Sequence, residues 1–424
     1  MKNKKHHRTD IHQVGFWYKA YRPFVDFATA MCYCRTQVTG LEHLPEDGSF
    51  IISPNHSDAL MDAVTVLRTR RGPTVFGARA DLFENPLLAK LMHFIKIVPM
   101  VRKRDGIRKV IRNLDIIEDI VEVLDEDVPF CMYPEGTHRP KHSLLPVGKG
   151  IFRIAVAAAK SLDKPVYVVP AGIEYSDYYR LMGTCLVNFG EPINVTAFIA
   201  EHPDMMDAEL YRTLTSELQS RMSSLFSYIP DDENYDAVWA YTKVMRAGRW
   251  KGSLHDRMTD NREVIASDKD PLKLEQALDF DRRRHAAGLS IKSFHDHSLP
   301  RFVLKTLALL LWLPFHVIFG IAALPQLLAA RIVNHLCVKD RAFKNSIRFL
   351  MVLFVTPITI ILWLVLLLCI KGLAFWPLCL YTFFVCLFAA TNFYLGLEWY
   401  RVWLSDLKLF RHKDLKALFD DIRK

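Results

Sequence analysis

Along residues 1–300 charged and apolar positions alternate on the scale of single elements, whereas from 306 to 397 uncharged apolar runs dominate. Between residues 40 and 195, short apolar runs rich in β-branched side chains lie at 50–53, 74–78, 128–133, 166–173 and 185–189. Stretches of helical period separate them, at 58–68, 85–94, 106–124 and 150–160. Continuous apolar runs of strand length suit strands covered on both faces, so this cadence predicts an α/β domain with a central, mostly parallel sheet. Residues 196–300 are polar and mostly helical in period, with Leu210, Leu214, Leu218, Met222 and Leu225 spaced three and four apart. The polar run 267–271 reads as a turn inside this helical insert or linker.

Three apolar runs follow, at 306–330, 349–370 and 372–397. The second and third are charge-free, are separated only by Lys371 beside Gly372, and predict a helical hairpin across a bilayer. The first carries Pro314, His316, Gly320 and Pro325 and has cations on both flanks: Arg301 and Lys305 before it, Arg331, Lys339, Arg341 and Lys344 after it. Positive charge marks the cytoplasmic side, and a single crossing does not put both flanks there together with the basic tail after Trp399. Two expectations therefore stand: a re-entrant or interfacial first run bent near 314–320, or three full crossings with the tail outside. Near the start, residues 14–35 mix Phe16, Trp17, Tyr18, Tyr21, Phe24 and Phe27 with charge, which suits an interfacial amphipathic helix or a core-packing one. The plan is thus an N-terminal helix (1–35), an α/β domain (36–200), a helical insert (201–300), a membrane region (301–398) and a basic amphipathic tail (399–424).

The net charge of +9 raises nucleic acid as a partner, but the cations sit largely beside apolar segments, where they attract anionic lipid headgroups instead. Membrane lipids are the expected partner, and no nucleic acid. Eight cysteines without a CxxC pair, three of them (Cys369, Cys379, Cys386) inside apolar runs, exclude a disulfide framework and a zinc site. The histidines, among them His6, His7, His12, His56 and His138, have no ligand spacing, so neither metal nor cofactor is expected. The basic start lacks a following apolar stretch of signal-peptide type, so the α/β domain of an integral membrane protein is expected to face the cytoplasm.

Four segments of the α/β part carry candidate chemistry. The first, residues 53–62 (SPNHSDALMD), follows a strand and opens a helix, where α/β sheets place ligand sites. A histidine there, His56, takes a proton from a hydroxyl, and a nearby carboxylate fixes its tautomer. Asp58 and Asp62 are the candidates, and both also suit a helix start by the macrodipole alone. The second segment runs from 76–83 (FGARADLF) to 97–104 (IVPMVRKR), where Arg102 offers a guanidinium fork for phosphate and Lys103 and Arg104 are helpers or solvated neighbours. The third, 132–139 (MYPEGTHR), sets Glu135 at a turn with Gly136 free to take a positive φ, Thr137 able to cap or donate, and Arg139 adding charge. The fourth, 167–173 (YVVPAGI), is an apolar strand interrupted by Pro170 that shapes a wall.

In this order and spacing the four segments resemble the glycerol-phosphate and lysophosphatidate acyltransferase superfamily, over about residues 36–200 and including a closing GEPI at 190–193. The resemblance implies His56 as general base and Asp62 as its orienting carboxylate. It implies Arg102 and Arg139 near an acceptor phosphate, and Glu135, Gly136 and Thr137 in acceptor binding. It further implies acyl-CoA or acyl-carrier protein as a thioester donor and a phosphorylated glycerol as acceptor in phospholipid biosynthesis. One departure is the His-to-Asp spacing. Met61 stands where the family's Asp usually comes and Asp62 is one later, a rotation of about 100 degrees if both lay on one helix. That spacing, with the SLLP stretch at 143–146 and the terminal apolar runs, is more similar to the glycerol-3-phosphate and dihydroxyacetone-phosphate branch than to the small lysophosphatidate enzymes. Tyr133 for the commoner Phe, and His138-Arg139 for the commoner Arg-Ser, bear on acceptor choice. A silent lipid-binding scaffold is the alternative class. A serine esterase is excluded by the missing Gly-x-Ser-x-Gly elbow.

Overall fold

The computed structural model describes residues 10–100, 112–248, 252–295, 297–336, 343–371 and 376–424. They form two compact units: one made of residues up to Asp26, Thr36–Glu174 and Cys185–Phe226, the other of Phe27–Arg35, Tyr175–Thr184 and Ser227 onward.

The α/β core is a sheet of β1 (Tyr33–Thr39), β2 (Ser49–Pro54), β3 (Val75–Arg79), β4 (Ile97–Met100), β5 (Phe130–Cys131), β6 (Val166–Tyr175), β7 (Gly183–Phe189) and β8 (Ile193–Asn194). The order is β1-β7-β6-β2-β5-β3-β4, with β8 beside β6. β2 runs parallel to β5 and β6, β3 runs parallel to β4 and β5, and β8 is antiparallel to β6. Because the central strands are covered on both faces, consecutive residues are buried together: Ile51, Ile52, Val168 and Val169 expose nothing.

α1 (Phe16–Cys32) is divided between the two units after Asp26. After it and α2 (Ala59–Arg68), α3 (Pro86–Phe94) starts where Asn85 accepts from the N–H groups of Leu87 and Leu88 and proline fills the first turn. α4 is Arg112–Asp125, and α5 (Gly150–Ser161) buries Ile151, Phe152, Ile154, Ala155 and Ala158. α6 (Val195–Glu201) is capped by Asn194, and α7 (Asp207–Ser223) buries the predicted Leu210, Leu214, Leu218 and Met222. With that face buried, α7 belongs to the sheet-bearing unit, so the polar helical segment 201–300 is divided between the two units.

In the second unit α8 (Tyr235–Arg246), α9 (Leu254–Ala266), α10 (Pro271–Ala286) and α11 (Lys292–His295) precede the apolar helices. Ser253 and Asp256 form a reciprocal capping box at α9, and Asp270 with Pro271 opens α10 after the turn expected at 267–271. Then come α12 (Leu299–Ala322), α13 (Leu324–Leu336), α14 (Lys344–Leu350), α15 (Thr356–Lys371), α16 (Trp376–Leu409) and α17 (Lys413–Ile422), with a π-turn at Met351–Val355 joining α14 to α15. Among the described residues, three stretches are long and apolar enough to cross a membrane: Leu299–Ala322, Lys344–Ile370 and Pro377–Leu409. α16 runs on past residue 397, where the apolar run ends, so much of the expected tail is a continuation of that helix.

The first apolar run is two helices. α12 stays helical through Pro314 and Gly320, and the chain turns at Ala323 rather than at 314–320. α12 lies alongside α16, with Trp403 Nε1 donating to Thr306 Oγ1 at 2.8 Å and Lys305 pairing with Asp406 at 2.5 Å. The turn packs Ala322 and Ala323 on Ile360, Cys386 and Ala389, and Trp363 Nε1 donates to Ala322 O at 3.0 Å. α13 then returns along α15 and α14: Gln326 bonds Thr356, and Ala330 and Asn334 face Ile347 and Arg348. Both ends of this hairpin therefore lie at the Arg348 and Arg401 end of the neighbouring helices, with its tip about 18 Å along from Arg348 at 1.5 Å per residue.

Candidate active site

Parallel pairing of β2 with β5 puts Ile52 opposite Cys131, so the two chains leave the sheet side by side at their carboxyl ends. His56 emerges two residues after β2, and Tyr133 and Glu135 emerge just after β5. Such edges are where α/β folds collect ligand-binding groups, because strand ends and helix starts leave backbone N–H groups pointing outward.

His56 Nδ1 lies 2.7 Å from Asp62 Oδ2; the imidazole is 16% exposed and the carboxylate fully buried. The same oxygen accepts the backbone N–H groups of Ser57 at 2.7 Å and Asp58 at 2.9 Å. Three donors on one carboxylate oxygen fix its position. Facing a carboxylate, Nδ1 carries the hydrogen, which leaves Nε2 with a lone pair for a substrate proton. The helical rotation anticipated from the long His-to-Asp spacing does not arise, because α2 begins only at Ala59 and His56 lies before it. Ala59 takes φ 44, a sparsely populated value for a residue with Cβ, and this turn absorbs the extra residue.

Asn55, buried, ties this turn to β6: its Oδ1 accepts from Ile173 N at 2.6 Å and its Nδ2 donates to Ile173 O at 3.2 Å. The fourth motif is thereby joined to the first by a paired amide contact.

Glu135 braces the other side. Oε1 accepts from His56 N at 2.8 Å and Oε2 from Leu145 N at 2.8 Å. This carboxylate, expected to meet acceptor hydroxyls, uses one lone pair of each oxygen to hold two loops, and one on each oxygen remains for an acceptor. Burial pushes its pKa up to about 7, against the lowering effect of the Leu145 and His56 N–H donors and the His56 ring. Gly136, at φ 68, closes the turn with its N–H on Tyr133 O at 3.2 Å, and a side chain there would be strained by the backbone alone. Thr137 is exposed beside it.

Tyr133 stacks on His56 with ring centroids 4.2 Å apart and planes at 23°, and His138 meets the same imidazole edge-on at 5.4 Å. Burial raises the Tyr133 phenol well above its ordinary pKa, so the ring is a neutral wall. Arg139 donates its backbone N–H to His56 O at 3.0 Å and its Nη2 to Ser143 Oγ at 2.7 Å. Arg102, with Lys103 and Arg104, lies outside the described residues. Sequence reasoning did not assign the Asn55 clamp or a second histidine–carboxylate pair, His142 Nδ1 to Glu174 Oε1 at 3.5 Å, buried at both ends. An asparagine beside the histidine and a glutamate closing an apolar strand were the only signals for them.

Residues 35–174 match the family model described as acyltransferase. They are an acyltransferase domain. The human 1-acyl-sn-glycerol-3-phosphate acyltransferase alpha (Homo sapiens) is 26% identical over 147 residues, 34% of this chain and 48% of that protein. The mouse protein of the same name (Mus musculus) is 24% identical over 193 residues, 43% of this chain and 63% of its own length. Glycerol-3-phosphate O-acyltransferase 2 of Saccharomyces cerevisiae is 26% identical over 137 residues, 32% of this chain and 18% of that protein. Among solved structures, the 1-acyl-sn-glycerophosphate (LPA) acyltransferase PlsC from Thermotoga maritima aligns with a TM-score of 0.35 and 20% identity, over 49% of this chain and 78% of that one. The chain spans about half the length of the human relative it matches.

Proposed function

We propose that the acyltransferase domain moves a fatty acyl group from a thioester, acyl-CoA or acyl-carrier protein, to a hydroxyl of glycerol-3-phosphate, with 1-acylglycerol-3-phosphate as the alternative acceptor. The observation that carries this reading is the 2.7 Å contact of His56 with fully buried Asp62 at the carboxyl edge of a parallel sheet. His56 Nε2 takes the proton of the acceptor hydroxyl as its oxygen attacks the thioester carbonyl. The tetrahedral intermediate collapses with loss of thiolate, and the imidazolium, held by Asp62, returns the proton to sulfur. Ester and thiol are the products, and no covalent enzyme intermediate is needed. Arg139 and Arg102 supply positive charge for the acceptor phosphate.

The apolar helices keep the domain at the surface where an acyl product belongs. With both ends of the α12–α13 hairpin at one end of the neighbouring helices, the cationic flanks at Arg301, Lys305, Arg331 and Lys344 gather on one side, which we assign to the cytoplasm. The test is an assay of the full chain in detergent with glycerol-3-phosphate, dihydroxyacetone phosphate and 1-acylglycerol-3-phosphate, each against both thioester donors. Transfer to a phosphorylated glycerol is expected; transfer only to unphosphorylated acceptors overturns the reading.

A further inference from the structure

Away from the acyltransferase domain, the second unit contains a cleft where α13, α14 and α16 meet. It consists of a cavity of about 160 Å³ opening into one of about 700 Å³, and the two share Ala330, Asn334 and Tyr394. Four permanent cations line it, Arg331, Lys344, Arg348 and Arg401, against one carboxylate among the lining residues, Glu398, which pairs with Arg401 at 2.9 Å. Arg348 is buried and pre-oriented: Nη1 donates to Tyr179 O at 2.9 Å and to Asn345 Oδ1 at 3.0 Å, and the guanidinium lies 5.0 Å from the centre of the Tyr394 ring. A carbonyl, an amide oxygen and a ring face hold its geometry, and Glu398, which also pairs with Arg401, is the acidic group acting on it. A buried cation of this kind is stabilised by an anion entering the cleft.

The surroundings say which anion. The cleft sits at one end of helices long and apolar enough to cross a bilayer, at the level on α16 where Tyr394, Trp399, Tyr400 and Trp403 succeed the charge-free stretch, as interfacial aromatics do. Leading away from it, Leu324, Leu328, Ile332 and Leu336 form a four-residue stripe along α13, each half exposed or more. A polar head with negative charge and an apolar chain matches both parts.

We propose that this cleft binds the phosphate of an anionic phospholipid, with an acyl chain lying along the α13 stripe. The site goes beyond the acyl-transfer reading and does not depend on it, since it lies entirely in the second unit. The two outer arginines, Arg331 and Arg401, are exposed, so their replacement spares the packing that buried Arg348 takes part in.

The full chain in a zwitterionic detergent, offered phosphatidate and phosphatidylcholine in equal amounts and read by native mass spectrometry, is expected to retain one phosphatidate. Retention falls about fivefold for each of Arg331→Gln and Arg401→Gln, the effect of one cation near an anionic lipid surface. An independent reading is the melting temperature of the unaltered chain, which phosphatidate raises and phosphatidylcholine leaves in place. Inorganic phosphate, which has the anion without the chain, is expected to compete weakly. Equal retention of both lipids, full retention by the double variant, or displacement by millimolar inorganic phosphate would each overturn the proposal.

Discussion

Two histidine–carboxylate pairs stand in the same domain and differ in what surrounds them. His56 and Asp62 touch at 2.7 Å, with the acid sealed and the ring partly open at a sheet edge. His142 and Glu174 stand 3.5 Å apart, with both side chains sealed, at 5% and 3% exposure. Composition alone makes the pairs equivalent. Access separates them: proton transfer to a substrate needs a ring nitrogen that a substrate reaches, whereas a sealed pair holds elements together. Around His56 everything restricts movement of the ring without closing it, with Tyr133 on one face, His138 at an edge and Asp62 behind. Glu174 follows Ile173, the residue clamped by Asn55, so the sealed pair fastens the 139–146 loop to the strand that supports the open one.

The sharpest way to break this contrast is His56→Ala. Removing a general base costs about 10²- to 10⁴-fold in kcat, and because Asp62 keeps the Ser57 and Asp58 N–H donors the melting temperature is expected to fall by only a few degrees. Equal turnover by the variant and the unaltered chain would remove His56 from the chemistry. Next in size is Asp62→Asn. The amide oxygen keeps the Ser57 and Asp58 N–H contacts, but the charge opposite the imidazolium is lost, and about a hundredfold drop in kcat is expected. A drop confined to KM would show that Asp62 serves binding instead. Arg139→Gln acts on the acceptor: its Ser143 contact and charge go while its backbone bond to His56 stays. About a tenfold rise in KM for the phosphorylated acceptor, with kcat changed less, is expected from the loss of one charged hydrogen bond. An unchanged KM would take Arg139 out of phosphate binding.

Glu135 connects pH to the open site. Burial raises its carboxyl from 4.5 to about 7, so between those values the folded chain holds a proton that the unfolded chain releases. Stability from this group is therefore full below about 4.5, falls as pH rises toward 7 and is flat above, a change on the order of 3 kcal/mol. Glu135→Gln does not titrate, so melts at pH 5 and pH 8 are expected to differ less for the variant than for the unaltered chain. The variant also sets an amide NH₂ against the N–H of His56 or Leu145, so its melting temperature at pH 5 is expected to be lower. Parallel pH curves would show that Glu135 ionises at its ordinary value.

The parts legible in the sequence were those written locally. β2 and β6 appear close to where continuous β-branched runs put them, and α7 buries the leucines spaced along it. β1 was not legible, because Tyr33-Cys34-Arg35-Thr36-Gln37 at a sheet edge carries no continuous apolar run. β5 is shorter than its apolar run, ending at Cys131, since Met132 and Tyr133 turn out of the sheet toward His56. At the site, the histidine and its acid lie six residues apart and were readable as a pair. The distance between them was not, because it depends on where α2 begins and on the φ of Ala59. Contacts between distant segments were invisible for the same reason: Asn55 and Ile173 are 118 residues apart, and only the sheet brings them together.

The smallest expected effect on turnover, and the reverse of the first, belongs to His142→Leu. Leucine removes the buried imidazole that stands 3.5 Å from the Glu174 carboxylate. Losing a contact of a buried polar group costs about 1–3 kcal/mol, enough to lower the melting temperature by several degrees. His142 is sealed at 5% exposure, so turnover per folded molecule is expected to stay within about threefold, less than 1 kcal/mol in barrier. Measured together, melting temperature and kcat then separate the pairs along two axes, kcat moving most for His56→Ala and the melting temperature most relative to kcat for His142→Leu. A hundredfold loss of kcat at unchanged melting temperature for His142→Leu would show instead that the sealed pair takes part in the chemistry.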